Sequence, residues 1–121
     1  MKYTPKIITE LKPNEIIVFG SNGQGKHIGG LAKICYDKFG AIWGQSKGLQ
    51  GQCYAINTMD SIDMIKTETK EFILFAKNNP QFTFLVTLIG CGIAGYTPKD
   101  ITPLFPKTLP SNIILPIEFT N

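Results

Sequence analysis

Two strand signals, each leading into a glycine-rich loop, constrain this chain more than any other feature. The first is Ile16-Ile17-Val18-Phe19, followed by glycines at 20, 23, 25, 29 and 30. The second is Phe82 to Leu88, followed by Ile89-Gly90-Cys91-Gly92-Ile93-Ala94-Gly95. A short unbroken apolar run suits a strand buried on both faces. Such strands belong to parallel or mixed sheets covered by helices.

The intervening sequence supplies those helices. Leu31, Ile34, Cys35 and Phe39 recur at helical spacing, and Gly40 stops the run. Cys53 to Asn57 reads as another strand. Ile62 to Lys77 is the longest helix candidate, with an apolar stripe of Ile62, Ile65, Phe72, Ile73 and Ala76. Asp60 or Ser61 can cap its start, and Asn78-Asn79-Pro80 ends it. Thr97-Pro98 opens a short helix through Leu104, and Ile113 to Leu115 forms a closing strand. Strand and helix alternate, so the expected class is α/β with a mixed, mainly parallel sheet. Residues 1–121 are expected to form a single domain, a length that buries a core without disulfides or metal.

In sheets of this class ligands sit at the carboxyl ends of the strands. Both glycine-rich loops leave such ends, which makes them one expected site. The first loop, Gly20 to His27, spells all of GxxxxGK[ST] except its last position. That position holds Mg²⁺ through a hydroxyl in a P-loop. Here it is His27, and no strand ends in an acidic residue that offers a second Mg²⁺ contact. A P-loop-like nucleotide hydrolase working through Lys26 is one reading. A backbone cradle is the broader one. Gly29 and Gly30 stand just before a helix whose N-terminus favours an anion. The glycines at 90, 92 and 95 let N–H groups wrap a diphosphate. The chain contains no arginine, so no guanidinium fork can clamp a phosphate. Backbone N–H groups and at most a lysine must hold it.

Other chemistry is limited by composition. The cysteines at 35, 53 and 91 and the single His27 do not have zinc-site spacing, and their odd count argues against a disulfide framework. Neither a metal nor a cofactor is expected. A net charge of +3 with no basic run points away from nucleic acid. No apolar run is long enough to span a membrane, and the N-terminus lacks a signal-peptide pattern, so the expected location is cytoplasmic. Cys91 is either a loop nucleophile or a small buried hydrophobe. Tyr96 either packs on a base or ribose or is an ordinary aromatic. Trp43 and the glutamines at 45, 50 and 52 either wall a cleft or form a solvated loop.

These motifs resemble the macrodomains, a family of ADP-ribose-binding modules. Val18 to Asn22 is similar to the family's strand-end VNAAN motif, Gly25 to Ala32 to its first glycine-rich loop, and Ile89 to Tyr96 to its phosphate loop. Thr97-Pro98-Lys99-Asp100 also suits the family. Across most of its length the chain further resembles uncharacterised bacterial and phage macrodomain-like proteins, which share phrases such as VFGSN and IGCGIAGY. The resemblance implies a three-layer α/β/α fold and a nucleotide-like partner, ADP-ribose or a relative. It implies ligand contacts from Gly20, Ser21 and Asn22 and from Gly29 and Gly30. It also implies contacts from the second loop, Gly90, Cys91, Gly92, Ile93, Ala94, Gly95 and Tyr96. The segment Ile8-Thr9-Glu10-Leu11 has no aspartate of the kind macrodomains use to read adenine, which leaves the base open. A hydrolase of ADP-ribosyl or phosphate-ribose linkages is the catalytic alternative. In it Asn22 orients water or ribose, with His27 as general base or Lys26 as electrostatic stabiliser.

Overall fold

The computed structural model describes residues 2–120 and shows a small α/β protein. Its strands are β1 (Glu15–Ser21), β2 (Gly48–Gln50), β3 (Cys53–Asn57), β4 (Thr83–Val86) and β5 (Ile113–Ile114). They form one sheet in the order β2-β3-β1-β4-β5. The β1–β3, β1–β4 and β4–β5 pairs are parallel, and only β2 runs antiparallel, against β3. The helices are α1 (Gly30–Lys38), α2 (Ile62–Lys77) and α3 (Pro98–Ile101), and α3 continues as a 3₁₀ turn over Thr102–Leu104.

Pleating sends alternate residues of β1 to opposite faces. Ile17 and Phe19 join Cys35 of α1, Phe39, Ala41, Cys53 and Ala55 in one apolar cluster. Ile16 and Val18 join Tyr54, Ile56, Phe84 and Val86 in the other, under Ile65, Phe72 and Ala76 of α2 and Ile101 of α3. Both faces of β1 are therefore dry, which is why its sequence is apolar without alternation.

The α2 helix and β3 have the bounds that periodicity predicts. Ser61 caps α2 by accepting the Met64 N–H at 3.0 Å. Thr97 and Asp100 form a capping box at the start of α3. Two expectations change. Ile34 is exposed rather than part of the α1 stripe, because the sheet-facing side of this helix is narrow and Cys35 alone is fully buried within it. Residues 48–50, expected as loop, are a strand that turns back on β3 through Gly51 and Gln52.

Candidate functional site

Because β1, β3 and β4 run in the same direction, their carboxyl ends share one edge of the sheet. The loop after β1, the loop after β3 and the loop after β4 all emerge there. They are tied at their roots. The Ser21 carbonyl accepts the Thr58 N–H at 3.0 Å, and the Val18 carbonyl accepts the Thr87 N–H at 3.1 Å. A Cβ placed on Gly20 would lie 3.1 Å from Thr58 Oγ1 and 3.7 Å from the Gly90 nitrogen. The two glycine-rich loops thus start side by side.

Within this edge the first loop divides into two parts. Residues 22–27 are knitted to the protein. Asn22 Oδ1 accepts the N–H groups of Gln24 (3.2 Å) and Lys26 (3.0 Å), and its Nδ2 donates to the Lys26 carbonyl (2.9 Å). The Gly25 carbonyl accepts the Gly44 N–H at 2.9 Å. His27 is 1% exposed. Its ring sits edge-on to Phe19 and beside Tyr36 and Trp43. Nε2 lies 2.8 Å from the Ile42 carbonyl and 3.2 Å from Gln50 Oε1. Both neighbours are acceptors, so Nε2 carries the proton and donates. Nδ1 is buried with no partner.

Residues 28–30 are different. Gly29 and Gly30 are exposed, and a Cβ on either would meet nothing within 4 Å. The α1 helix begins there with no side-chain cap and no acidic residue in its first turn. The N–H groups of Gly30, Leu31 and Ala32 therefore have no acceptor among the described residues. The loop after β4 has the same character. Turn bonds hold Cys91 N–H to Leu88 (3.2 Å), Gly95 N–H to Gly92 (3.0 Å) and Tyr96 N–H to Gly90 (2.9 Å). The N–H groups of Gly92, Ile93 and Ala94 make no bond among the described residues. Gly92 and Gly95 face open space, and Ile93 is 90% exposed.

The sequence-predicted site residues thus separate into two groups. Gly29, Gly30, Gly92, Ile93 and Gly95 are exposed, and Ala94 half-buried, in the loops that leave this edge. Gly20, Ser21, Asn22, Gly90, Cys91 and Tyr96 are structural in this conformation. Ser21 is buried and its Oγ donates to the Ser46 carbonyl. Gly90 is buried against Ile101, and the half-buried Tyr96 ring lies beside it in the α2-side cluster. Cys91 also packs against that cluster, and burial, reinforced by Asp100 and Glu118, raises its thiol pKa. It is held as a thiol, the less nucleophilic form. His27 cannot reach a bound molecule as a general base, because its only bare nitrogen is sealed in the interior. The Asn22 amide is already bonded on both sides. Of the three catalytic candidates only Lys26 is exposed. The P-loop spelling also fails locally. The α1 helix starts at Gly30 rather than directly after Gly25-Lys26, and Gly25 packs on the Gly44–Gln45 backbone instead of facing an anion.

The three glutamines serve neither role expected of them. Gln50 is buried, donates to the Gln45 and Gly48 carbonyls, and accepts from Ile42 N–H and His27. Gln45 Nε2 donates to the carbonyls of Lys47 and Leu49, and Gln52 Nε2 to those of Lys12 and Glu15. Gln45 and Gln50 brace the loop that holds His27, and Gln52 ties that loop's end to the entry of β1. A residue missed in the sequence is Glu68, whose Oε1 accepts the Asn57 N–H at the carboxyl end of β3 at 2.9 Å. Its signal was available, since 68 falls between Ile65 and Phe72 on the buried face of α2.

Two cavities, of about 280 and 390 Å³, are lined by neither glycine-rich loop, one beside α2 and one under the N-terminal segment. No group of three or more His, Cys, Asp or Glu side chains among the described residues is arranged to hold a metal. No helix among them is long and apolar enough to cross a membrane. Comparison with protein-family models, curated proteins and solved structures finds no match.

Proposed function

We propose that the shared carboxyl edge binds ADP-ribose or a related nucleotide diphosphate, in a three-layer α/β/α arrangement of the macrodomain kind. The observation that carries this reading is the set of unpaired backbone N–H groups. Those of Gly30, Leu31 and Ala32 stand at the start of α1, and those of Gly92, Ile93 and Ala94 stand in the loop after β4. Donors of this kind with glycines facing open space suit an anion approached closely by backbone. The α1 dipole adds a favourable field for the same charge. In a chain without arginine, this is the means of gripping a diphosphate that its residues provide. Gly29 and Gly30 would run along one phosphate and residues 92–95 around the other. Free thiols at Cys35 and Cys53, both buried, fit a reducing compartment such as the cytoplasm.

Binding rather than hydrolysis is favoured because His27 and Asn22 hold the loop together and present no free catalytic atom. Titration calorimetry with ADP-ribose, ADP, NAD and GTP tests the proposal. A saturable heat with at least one diphosphate is expected, and its weakening in Gly92→Ala would locate the site. Absence of heat with all four ligands would overturn it.

A further inference from the structure

Outside the two glycine-rich loops, the polar group of most interest is Glu68. It lies on the inner side of α2 and is 6% exposed. Its Oε1 is held by the Asn57 N–H, and its Oε2 has no hydrogen-bond partner. No lysine is paired with it. Lys47, whose charge acts on Glu68, places its Nζ 3.5 Å from Glu71 instead. Burial pushes the Glu68 carboxyl above the ordinary range, against the opposing pull of the Asn57 N–H and Lys47. Its Oε2 is thus left open to a donor from a ligand.

The surroundings supply room for one. Glu68 lines a cavity of about 280 Å³ together with Tyr54, Phe75, Glu71, Lys47 and Gly48. The Tyr54 and Phe75 ring centroids are 5.3 Å apart. A Cβ on Gly48 would meet only Gln45 Nε2, at 3.8 Å, so the wall beside β2 is open. The Lys47–Glu71 pair is half exposed, and such pairs contribute little and are readily displaced. Aromatic rings beside carboxylates are the usual environment of an organic ammonium.

We propose that this cavity is a second ligand site, taking a primary ammonium group on a short alkyl chain. The ammonium donates to Glu68 Oε2 and to Glu71, and the chain lies against the Tyr54 and Phe75 side chains that line the cavity. A guanidinium fits less well, because its fork needs two free oxygens on one carboxylate and Glu68 offers one. The volume is at the small end for ligand sites and is too small for a nucleotide. The site uses neither glycine-rich loop, and it does not depend on the diphosphate reading.

The test is an NMR titration of the full chain, ¹⁵N-labelled, at pH 7 with n-butylammonium chloride, matched in ionic strength by NaCl. Saturable shifts are expected at the amides of Gly48, Tyr54 and Asn57 and not at Gly29 or Gly92. Glu68→Gln, which keeps the volume and the acceptor for Asn57, should weaken binding by about tenfold, the loss of one charge-assisted hydrogen bond. Lys47→Ala, a surface change outside the α2 core, should strengthen it by about threefold by removing the internal competitor. n-Butylguanidinium should bind more weakly than n-butylammonium. Shifts that do not saturate or that NaCl reproduces would overturn the proposal. So would binding unchanged in both variants.

Discussion

Gly25 and Gly29 lie in the same loop, four residues apart, and have opposite surroundings. A Cβ on Gly25 would stand 2.5 Å from the Gln45 nitrogen, and the residue holds φ at +65°. A Cβ on Gly29 would meet nothing within 4 Å, and its backbone is extended. Gly51 and Gly92 repeat the contrast. At Gly51 an added Cβ falls 2.7 Å from the Gly40 Cα and carbonyl and from the Phe39 carbonyl, whereas Gly92 is open. One kind of glycine lets two stretches of backbone touch. The other leaves a stretch of backbone bare. The contrast explains why the P-loop spelling misleads, since it rests on Gly25, a packing glycine.

The sharpest way to break this distinction is Gly25→Ala. Forcing a Cβ into the Gly44–Gln45 backbone at positive φ should cost about 3 kcal/mol, read as a lower urea midpoint with an unchanged slope. A loss under about 1 kcal/mol would mean that the two loops are not in contact as described. His27→Ala comes next. It removes the bond to the Ile42 carbonyl and leaves a gap beneath Tyr36 and Trp43, an expected cost of about 2 kcal/mol. A stable His27→Ala protein would return the histidine to the surface and reopen a catalytic role.

A smaller effect is expected at Glu68, and it has a sign that pH reveals. A carboxyl whose folded pKa is raised binds its proton more tightly when folded. Its favourable contribution is complete below the unfolded carboxylate value and is lost as pH rises through the folded value. Glu68→Gln should therefore gain stability relative to the parent between pH 4 and pH 7. The difference between the two urea-unfolding curves, taken across that range, isolates this residue from the other carboxylates, and a flat difference would remove the buried-charge account. The smallest effect belongs to the open glycines. Gly29→Ala and Gly92→Ala should change stability by less than about 0.5 kcal/mol while weakening any diphosphate bound at the edge. A large loss of stability in either would place it with Gly25.

The same contrast marks how far the sequence could be read. The strands around the site and α2 follow from local periodicity, because both faces of β1 and one face of α2 are decided by burial. The shared edge followed from strand direction. What local pattern could not show was the partner of each polar side chain. Gln45, Gln50 and Gln52 carry both donors and acceptors, and their bonds run to backbone groups of the surrounding loop and, for Gln52, to Lys12 and Glu15 nearly forty positions away. His27 stands in a run of small and polar residues that gives no sign of burial. Its ring is enclosed by Phe19, Tyr36 and Trp43, and the last two are partly exposed themselves. The Gly48–Gln50 strand escaped for a related reason, since three residues carry no periodicity and only pairing with β3 defines it.

The sheet ends in strands of three residues, β2, and two residues, β5, around longer central strands. An unpaired strand edge is a template on which another chain can add a strand, and short edges weaken that template. With so few free ladder positions at either margin, strand-by-strand growth into fibrils has little to build on. The two buried strands that shape this fold, β1 and β4, are kept inside the sheet. Its tendency to aggregate should therefore depend on how often the native sheet opens, and concentrated native protein should stay in solution.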